Sequence, residues 1–367
     1  MEKINGKNKW KNKRLDIELM RIIAVFFVIF NHTGKTGFFF FSLYDVHSMQ
    51  YWIYLFISIF CKLSVPLFFM ISGALMLNRQ GESIKRIWVH RVFHISVVLG
   101  IWSFFYYLAA VKHGNYQWLS FFSRLYDSNW NFSYWYLYVY IAFLISLPLL
   151  QRFAQSLTDK EYMYMFFVYI VFAMVIPSAQ YLLFQGRHVL NGNLSIGWLM
   201  SSIVIFPLTG YFLSFRKRDF WNEKRIMILW MINIATILLS SYLTYYRARI
   251  MGVCDEGHSQ AFHSTFVLIN CVAVFVTCQY LNEHSTFLEK LAKPVTSLGG
   301  CTFGIYLLHV YIMKRSILND FLWNTVQANI HMSPMLYAFV LCGVVLLCCY
   351  IITLAFKQIP ILSRLVS

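Results

Sequence analysis

Apolar residues run along the chain in long blocks separated by short polar breaks. Ten such blocks are read: 19–41, 52–77, 92–111, 134–150, 162–184, 194–215, 226–246, 264–281, 298–314 and 334–356. Each is near the ~20 residues that a helix needs to cross hydrocarbon. The strict alternation of barrel strands is absent, and a helix satisfies its own backbone groups in lipid. The pattern therefore predicts an all-α polytopic membrane protein with about ten transmembrane helices. Its expected organisation is a basic cytoplasmic tail at 1–18, a transmembrane domain at 19–356 and a second cytoplasmic tail at 357–367.

Composition agrees. Of the 367 residues 59% are hydrophobic and only 13% charged, against roughly a quarter charged in soluble domains. The segment "MEKINGKNKWKNKRLDIELMR" lacks a small-residue cleavage site after the first apolar run, so it is expected to be retained. With that end inside the cell, the inner segments hold 22 Lys and Arg and the outer ones 8. This is the bias of the positive-inside rule, and it predicts both termini in the cytoplasm. The net charge of +16 then reflects topology and lipid headgroups, not nucleic acid. Seven of the eight cysteines sit in apolar runs, none with metal-ligand spacing, and are read as small hydrophobes. The loop "CDEGHSQAFH", Cys254 to His263, lacks zinc spacing and is read as solvated. The aromatic loop 112–133 is read as an interfacial belt ahead of a stacking platform for sugar rings.

Chemistry must then come from a few polar groups in the apolar blocks. All fifteen Asp and Glu fall in tails, loops or helix ends, so no carboxylate relay through the membrane is expected. "RIIAVFFVIFNHT" places Asn31 and His32 at the end of nine apolar residues, eleven positions after Arg21. Eleven residues are about three helical turns, so Arg21 and His32 share a face roughly 16 Å apart. Arg14 falls on a similar face, and Asp16 and Glu18 can orient the arginines. One helix thus offers a phosphate-binding charge at the water edge and a general base in the interior. The separation matches the reach of an extended pantetheine arm, so a cytosolic acyl-CoA suits it. Taken singly, His32 reads more simply as a helix-to-helix hydrogen-bonding group and Arg21 as a topology anchor. For Lys62 the simpler reading is a stem snorkelling to the outer interface.

Further stretches combine with this one: "KLSVPLFFMISGALML" from Lys62, with Ser72-Gly73; "SIKRIWVHRVFH", with Lys85, Arg86 and Arg91; "WYLY" from Trp135; and "FGIYLLH" from Phe303. The ordered set resembles acyltransferase family 3, the integral-membrane acyltransferases of bacterial surface glycans. Arg21 and His32 match its arginine-to-histidine spacing, and Glu18-Leu-Met-Arg21 matches its opening. Val65 to Gly73, the basic cluster, Trp135 to Tyr138 and Phe303 to His309 match in turn. One departure is that His90 lies between Arg86 and Arg91; another is that the last apolar block is followed by a short tail, in which no added soluble catalytic domain is expected.

The resemblance implies an acyltransferase of the bacterial plasma membrane. It would take acetyl-CoA, or another acyl-CoA, as donor substrate and use no bound cofactor or metal. Arg14, Arg21, Ser72, Lys85, Arg86 and Arg91 become candidate acyl-CoA-binding residues and His32 the catalytic base or transient acyl acceptor. Glu18, Asn31, Lys62, Trp135, Tyr136, Tyr306 and His309 are supporting or substrate-lining, Asn31 as a group that fixes the His32 tautomer. The implied acceptor is a hydroxyl of a surface polysaccharide or lipid-linked glycan. A carrier or flippase of a lipid-linked saccharide is the rival reading.

Overall fold

The computed structural model describes residues 14–79, 82–111, 116–194, 196–252, 262–315 and 333–366, and among them every regular element is a helix. The basic tail up to residue 13, Cys254 and most of its loop lie outside the described residues.

The first helix, α1 (Leu15–Asn31), ends where the apolar run meets Asn31 and His32. The expected span 19–41 is therefore corrected: it is a helix only to Asn31, followed by 3-10 turns at Gly34–Thr36 and Phe40–Leu43. The cause is local. The Thr33 hydroxyl donates to the Phe30 carbonyl at 2.7 Å and accepts the Phe38 N–H at 2.9 Å, and Gly34 holds φ +61°. That backbone conformation suits glycine and stops a helix. Hydropathy, an average over a window, does not register such a stop.

Next come α2 (Met49–Cys61), capped by Ser48, and α3 (Ser64–Met76), separated by a break at Lys62 and Leu63. α4 (Ile84–Ala110) contains a π turn at Trp88–Val92, and α5 (Trp118–Asp127) is a short amphipathic helix. α6 (Trp135–Ser156) and α7 (Asp159–Phe184) follow, the latter opened by a capping box between Thr158 and Glu161. The remaining helices of eight residues or more among the described residues are α8 (Ser202–Phe215), α9 (Glu223–Met251), α10 (Val267–His284), α11 (Ala292–Gly299), α12 (Thr302–Arg315) and α13 (Pro334–Lys357).

Among the described residues six helices are long and apolar enough to cross a membrane: Met49–Met76, α4, Phe132–Ser156, α7, α9 and α13. The pair α11 and α12, bent by 63°, makes a seventh when taken as one span. Three expected spans correspond to elements below that standard. α1 has 17 residues and α8 has 14, while α10 ends in the polar run Asn282, Glu283 and His284. Apolar side chains of α7 and α9, among them Phe167, Met227 and Met231, point outward. In a membrane protein such a surface meets lipid.

α1 is the axis of the bundle. It packs against α3, α10, α11, α12 and α13, burying Met20, Ala24, Val25, Val28, Ile29 and Phe30. The most extensive helix-to-helix contact among the described residues is that of α3 with α8. A Cβ at Gly73 would strike the Pro207 carbonyl, and one at Gly210 the Met70 carbonyl. Two glycines facing opposite backbones permit this approach, as small residues do between membrane helices. A Cβ at Gly299 would strike the Glu18 side chain of α1, so this glycine lets the α11–α12 bend sit against the first helix.

Candidate active site

The end of α1 carries a hydrogen-bonded pair of imidazoles. His32 Nδ1 lies 2.8 Å from His309 Nε2, and His309 Nδ1 lies 2.6 Å from the Tyr306 carbonyl oxygen. A carbonyl only accepts, so His309 carries its proton on Nδ1 and, when neutral, presents Nε2 as an acceptor. His32 must then donate from Nδ1. The chain of bonds assigns the basic lone pair of His32 to Nε2. His309 is fully buried. α12 therefore sets the tautomer of the residue at the tip of α1.

Asn31 does something else. Its Nδ2 donates to the Cys61 carbonyl at 3.3 Å and to Ser64 Oγ at 2.9 Å. It ties the break between α2 and α3 to the end of α1. The tautomer-fixing role expected of Asn31 belongs to His309.

Two cavities flank this assembly. One, about 370 Å³, is lined by Arg21, Arg79, Arg91, Ser72, Tyr140 and the Gly299–Gly300 bend, among others. Its arginines are oriented by acceptors. Arg21 Nη1 donates to Glu18 at 2.9 Å, Arg91 grips Glu82 through Nε and Nη2, and Arg79 Nε donates to the Leu75 carbonyl at 3.1 Å. A guanidinium has five donors, so Arg21 and Arg79 each retain most of theirs. The second cavity, about 460 Å³, is lined by Asn31, His32, Lys62, Trp135 and hydroxyls including Ser64, Ser202 and Ser264. Tyr136 and Tyr306 line both.

The sequence-predicted residues divide accordingly. Arg21, Ser72 and Arg91 meet in the arginine chamber, and Asn31, His32, Lys62 and Trp135 in the histidine chamber. Tyr136 and Tyr306 stand between the two, with His309 behind His32. Glu18 is the partner of Arg21. Three candidate acyl-CoA-binding residues are not brought together with the rest. Arg14 pairs with buried Asp16 at the root of α1, while Lys85 and Arg86 are exposed on the first turn of α4. None of the three is among the arginine chamber's lining residues. In the first turn of α4 it is Ile87 that faces inward, and the charged side chain of this helix that reaches the chamber is Arg91, five positions beyond Arg86. Lys62 lines the chamber with its Nζ 5.3 Å from the Phe38 ring centroid. Arg79 and Tyr140 are among the lining residues that the sequence reading missed. Arg79 follows the end of α3 and reads in sequence as one more inner charge; Tyr140 lies one turn past Tyr136, which the repeat of tyrosines in "WYLYVY" signals.

Curated proteins and solved structures give no match to the chain. A family model described as an acyltransferase domain, that of acyltransferase family 3, matches residues 14–354. This range takes in α1 through all but the last turn of α13, and with them both chambers and the histidine pair. The chain thus belongs to acyltransferase family 3, and it is a membrane acyltransferase.

Proposed function

We propose that the protein moves an acyl group, acetyl first among them, from cytosolic acyl-CoA to a hydroxyl of an extracytoplasmic or lipid-linked glycan. The observation that carries this reading is the pair of chambers at the two ends of α1, one holding guanidinium groups and the other His32. Arg21, Arg79 and Arg91 hold the nucleotide phosphates by charge-assisted hydrogen bonds. The pantetheine arm follows α1, and the thioester reaches His32. Nε2 of His32 takes the proton of the acceptor hydroxyl, whose oxygen attacks the thioester carbonyl. Collapse of the tetrahedral intermediate breaks the carbon–sulfur bond. The thiolate leaves and takes back the proton from the imidazolium, giving ester and free CoA. Throughout, His309 holds the His32 ring in the tautomer this requires.

In this reading α1, α8 and α10 also traverse the bilayer, giving ten spans with both termini cytoplasmic. The arginine chamber then faces the cytosol, where acyl-CoA is made. The membrane is the bacterial plasma membrane, and Trp135 borders the acceptor's route.

Mass spectrometry of surface glycans tests the reading, comparing cells that lack the protein with cells carrying wild type or His32→Ala. The expected result is one acyl increment with wild type only, matched by transfer of label from acetyl-CoA in wild-type membranes. An increment retained by a well-expressed His32→Ala protein overturns the assignment of the base. No transfer of label by wild-type membranes to any acceptor fraction overturns the enzyme reading.

A further inference from the structure

Between the two chambers stands a partition of two tyrosines, and its halves are held differently. Tyr136 and Tyr306 are the residues common to both linings. Their rings meet edge to face, 5.5 Å between centroids at 73°. Tyr306 is anchored. Its hydroxyl donates to the Ser133 carbonyl at 2.6 Å, while the Tyr134 hydroxyl donates to the Leu307 carbonyl at 3.0 Å. These two bonds, made in opposite directions, lace the start of α6 to α12. The contacts found for Tyr136 are ring against ring: on Tyr306, on Tyr140 at 5.7 Å, on Phe69 at 5.4 Å and on Phe68 at 6.1 Å. A ring held by aromatic contacts gives up only those contacts when it changes rotamer. A ring whose hydroxyl is also tied to a buried carbonyl gives up that hydrogen bond as well.

We infer that Tyr136 and Tyr306 form the passage for the acyl-bearing arm, with Tyr136 as its movable leaf, and that this passage selects donors by the cross-section of the acyl group. The inference rests on the acyltransferase reading above. An acyl group carried from the arginine chamber must pass between these rings to reach His32. An unbranched acyl group is no wider than the cysteamine and β-alanine units that follow it through the passage, so a displacement of Tyr136 that admits one admits the other, while the gem-dimethyl carbon of the arm stays on the arginine side. A branched group is wider at the carbon next to the carbonyl. It requires either a larger displacement of Tyr136 or loss of the Tyr306 anchor. Discrimination then arises at the passage and not in the 460 Å³ chamber beyond it, which has room for either.

The test uses membranes from glycan-producing cells that carry the full-length protein, with labelled acetyl-CoA and isobutyryl-CoA as donors and label in the glycan fraction as the readout. Binding of free CoA is measured in parallel. Wild type is expected to prefer acetyl over isobutyryl by at least about tenfold in kcat/KM. Tyr136→Ala and Tyr136→Leu should each lower that ratio several-fold while free CoA binds as before. Tyr136→Phe, which keeps the ring, should retain the wild-type ratio, and Tyr306→Phe, which frees the anchor, should fall between. A ratio unchanged in both Tyr136→Ala and Tyr136→Leu overturns the inference, as does a wild type indifferent to branching. Absence of transfer from either donor by wild type overturns the acyltransferase reading itself, and the inference falls with it. A ratio disturbed equally by Tyr136→Phe overturns the steric account in favour of a hydroxyl contact.

Discussion

The two chambers share two tyrosines and one helix, yet they differ in the ionisable groups they hold. The arginine chamber is a mouth of partly exposed guanidinium groups, each already aimed by a carboxylate or carbonyl. The histidine chamber is lined by serine hydroxyls, aromatic rings and an imidazole, with Lys62 as the charged side chain among its described lining residues. A charged ligand loses less solvation when it binds at a wet rim, where multiple donors can replace water. A proton transfer gains from a site that excludes water and fixes the base before the substrate arrives. On the proposed reading this difference separates binding from chemistry along α1, so changes in one chamber should leave the other's function measurable.

His32→Ala breaks the comparison most completely. A positioned general base supplies about 10²–10⁴ in rate. Acyl transfer should fall by that factor while CoA still binds the arginine chamber. Labelled transfer beside equilibrium CoA binding checks this, and a parallel loss of CoA affinity would mean the chambers are not separate. His309→Ala comes next. It removes the acceptor for the His32 Nδ1 proton, so both ring tautomers become available and the ring is less fixed. A fall of about 10- to 100-fold in kcat is expected with an unchanged donor KM, since the change touches the base through its orientation. His309→Gln can present a carbonyl oxygen to the same proton and should recover part of the loss. A purely structural role would instead lower the amount of folded protein and leave kcat per molecule intact.

How much of this was legible in the chain depends on whether a neighbour in sequence or in space decides. Arg21 lies in the second turn of α1 and His32 caps its end, so their spacing alone gives their shared face and separation. The glycine pairing that locks α3 to α8 was visible only as Ser72-Gly73, because its other half, Gly210, lies far along the chain. The stop at Asn31 was hidden by Phe38 to Phe41, apolar residues that prolong the hydropathic signal past the helix end. The partner of His32 was visible as a histidine in "FGIYLLH", yet its contact spans 277 positions, and no periodicity reports that. Family resemblance supplied the set of residues. Tertiary packing decided which of the arginines face the cavity.

The arginines sharpen the comparison from the other side. Arg21→Gln and Arg79→Gln should each raise the donor KM about tenfold or more, with kcat nearly constant. Hydrogen bonds to charged groups contribute about 1.5–3 kcal/mol, and 1.4 kcal/mol is a factor of ten in affinity. Arg79 is the more telling of the two, because nothing but its place in the chamber singles it out. Saturation curves for acetyl-CoA give the answer, and a fall in kcat at unchanged KM would move that arginine into the chemical step.

The smallest effect is expected at Lys85 and Arg86. Both are exposed on the opening turn of α4, where Ser83 accepts the Arg86 N–H at 3.3 Å to cap the helix. They lie outside the chamber's lining and retain their hydration, so they interact with a bound nucleotide only through solvent. At physiological salt such a charge is screened within about 8 Å. It can raise the encounter rate of an anionic donor without strengthening the complex. The double variant Lys85→Ala, Arg86→Ala should therefore change the donor KM by less than about twofold at 0.15 M salt. The difference from wild type should widen as salt is lowered. Arg91→Ala, six positions further along the same helix from Lys85, should show the larger, less salt-dependent loss of a chamber residue. Equal losses from the double variant and from Arg91→Ala at high salt would place the phosphates on the surface cluster and redraw the mouth of the chamber.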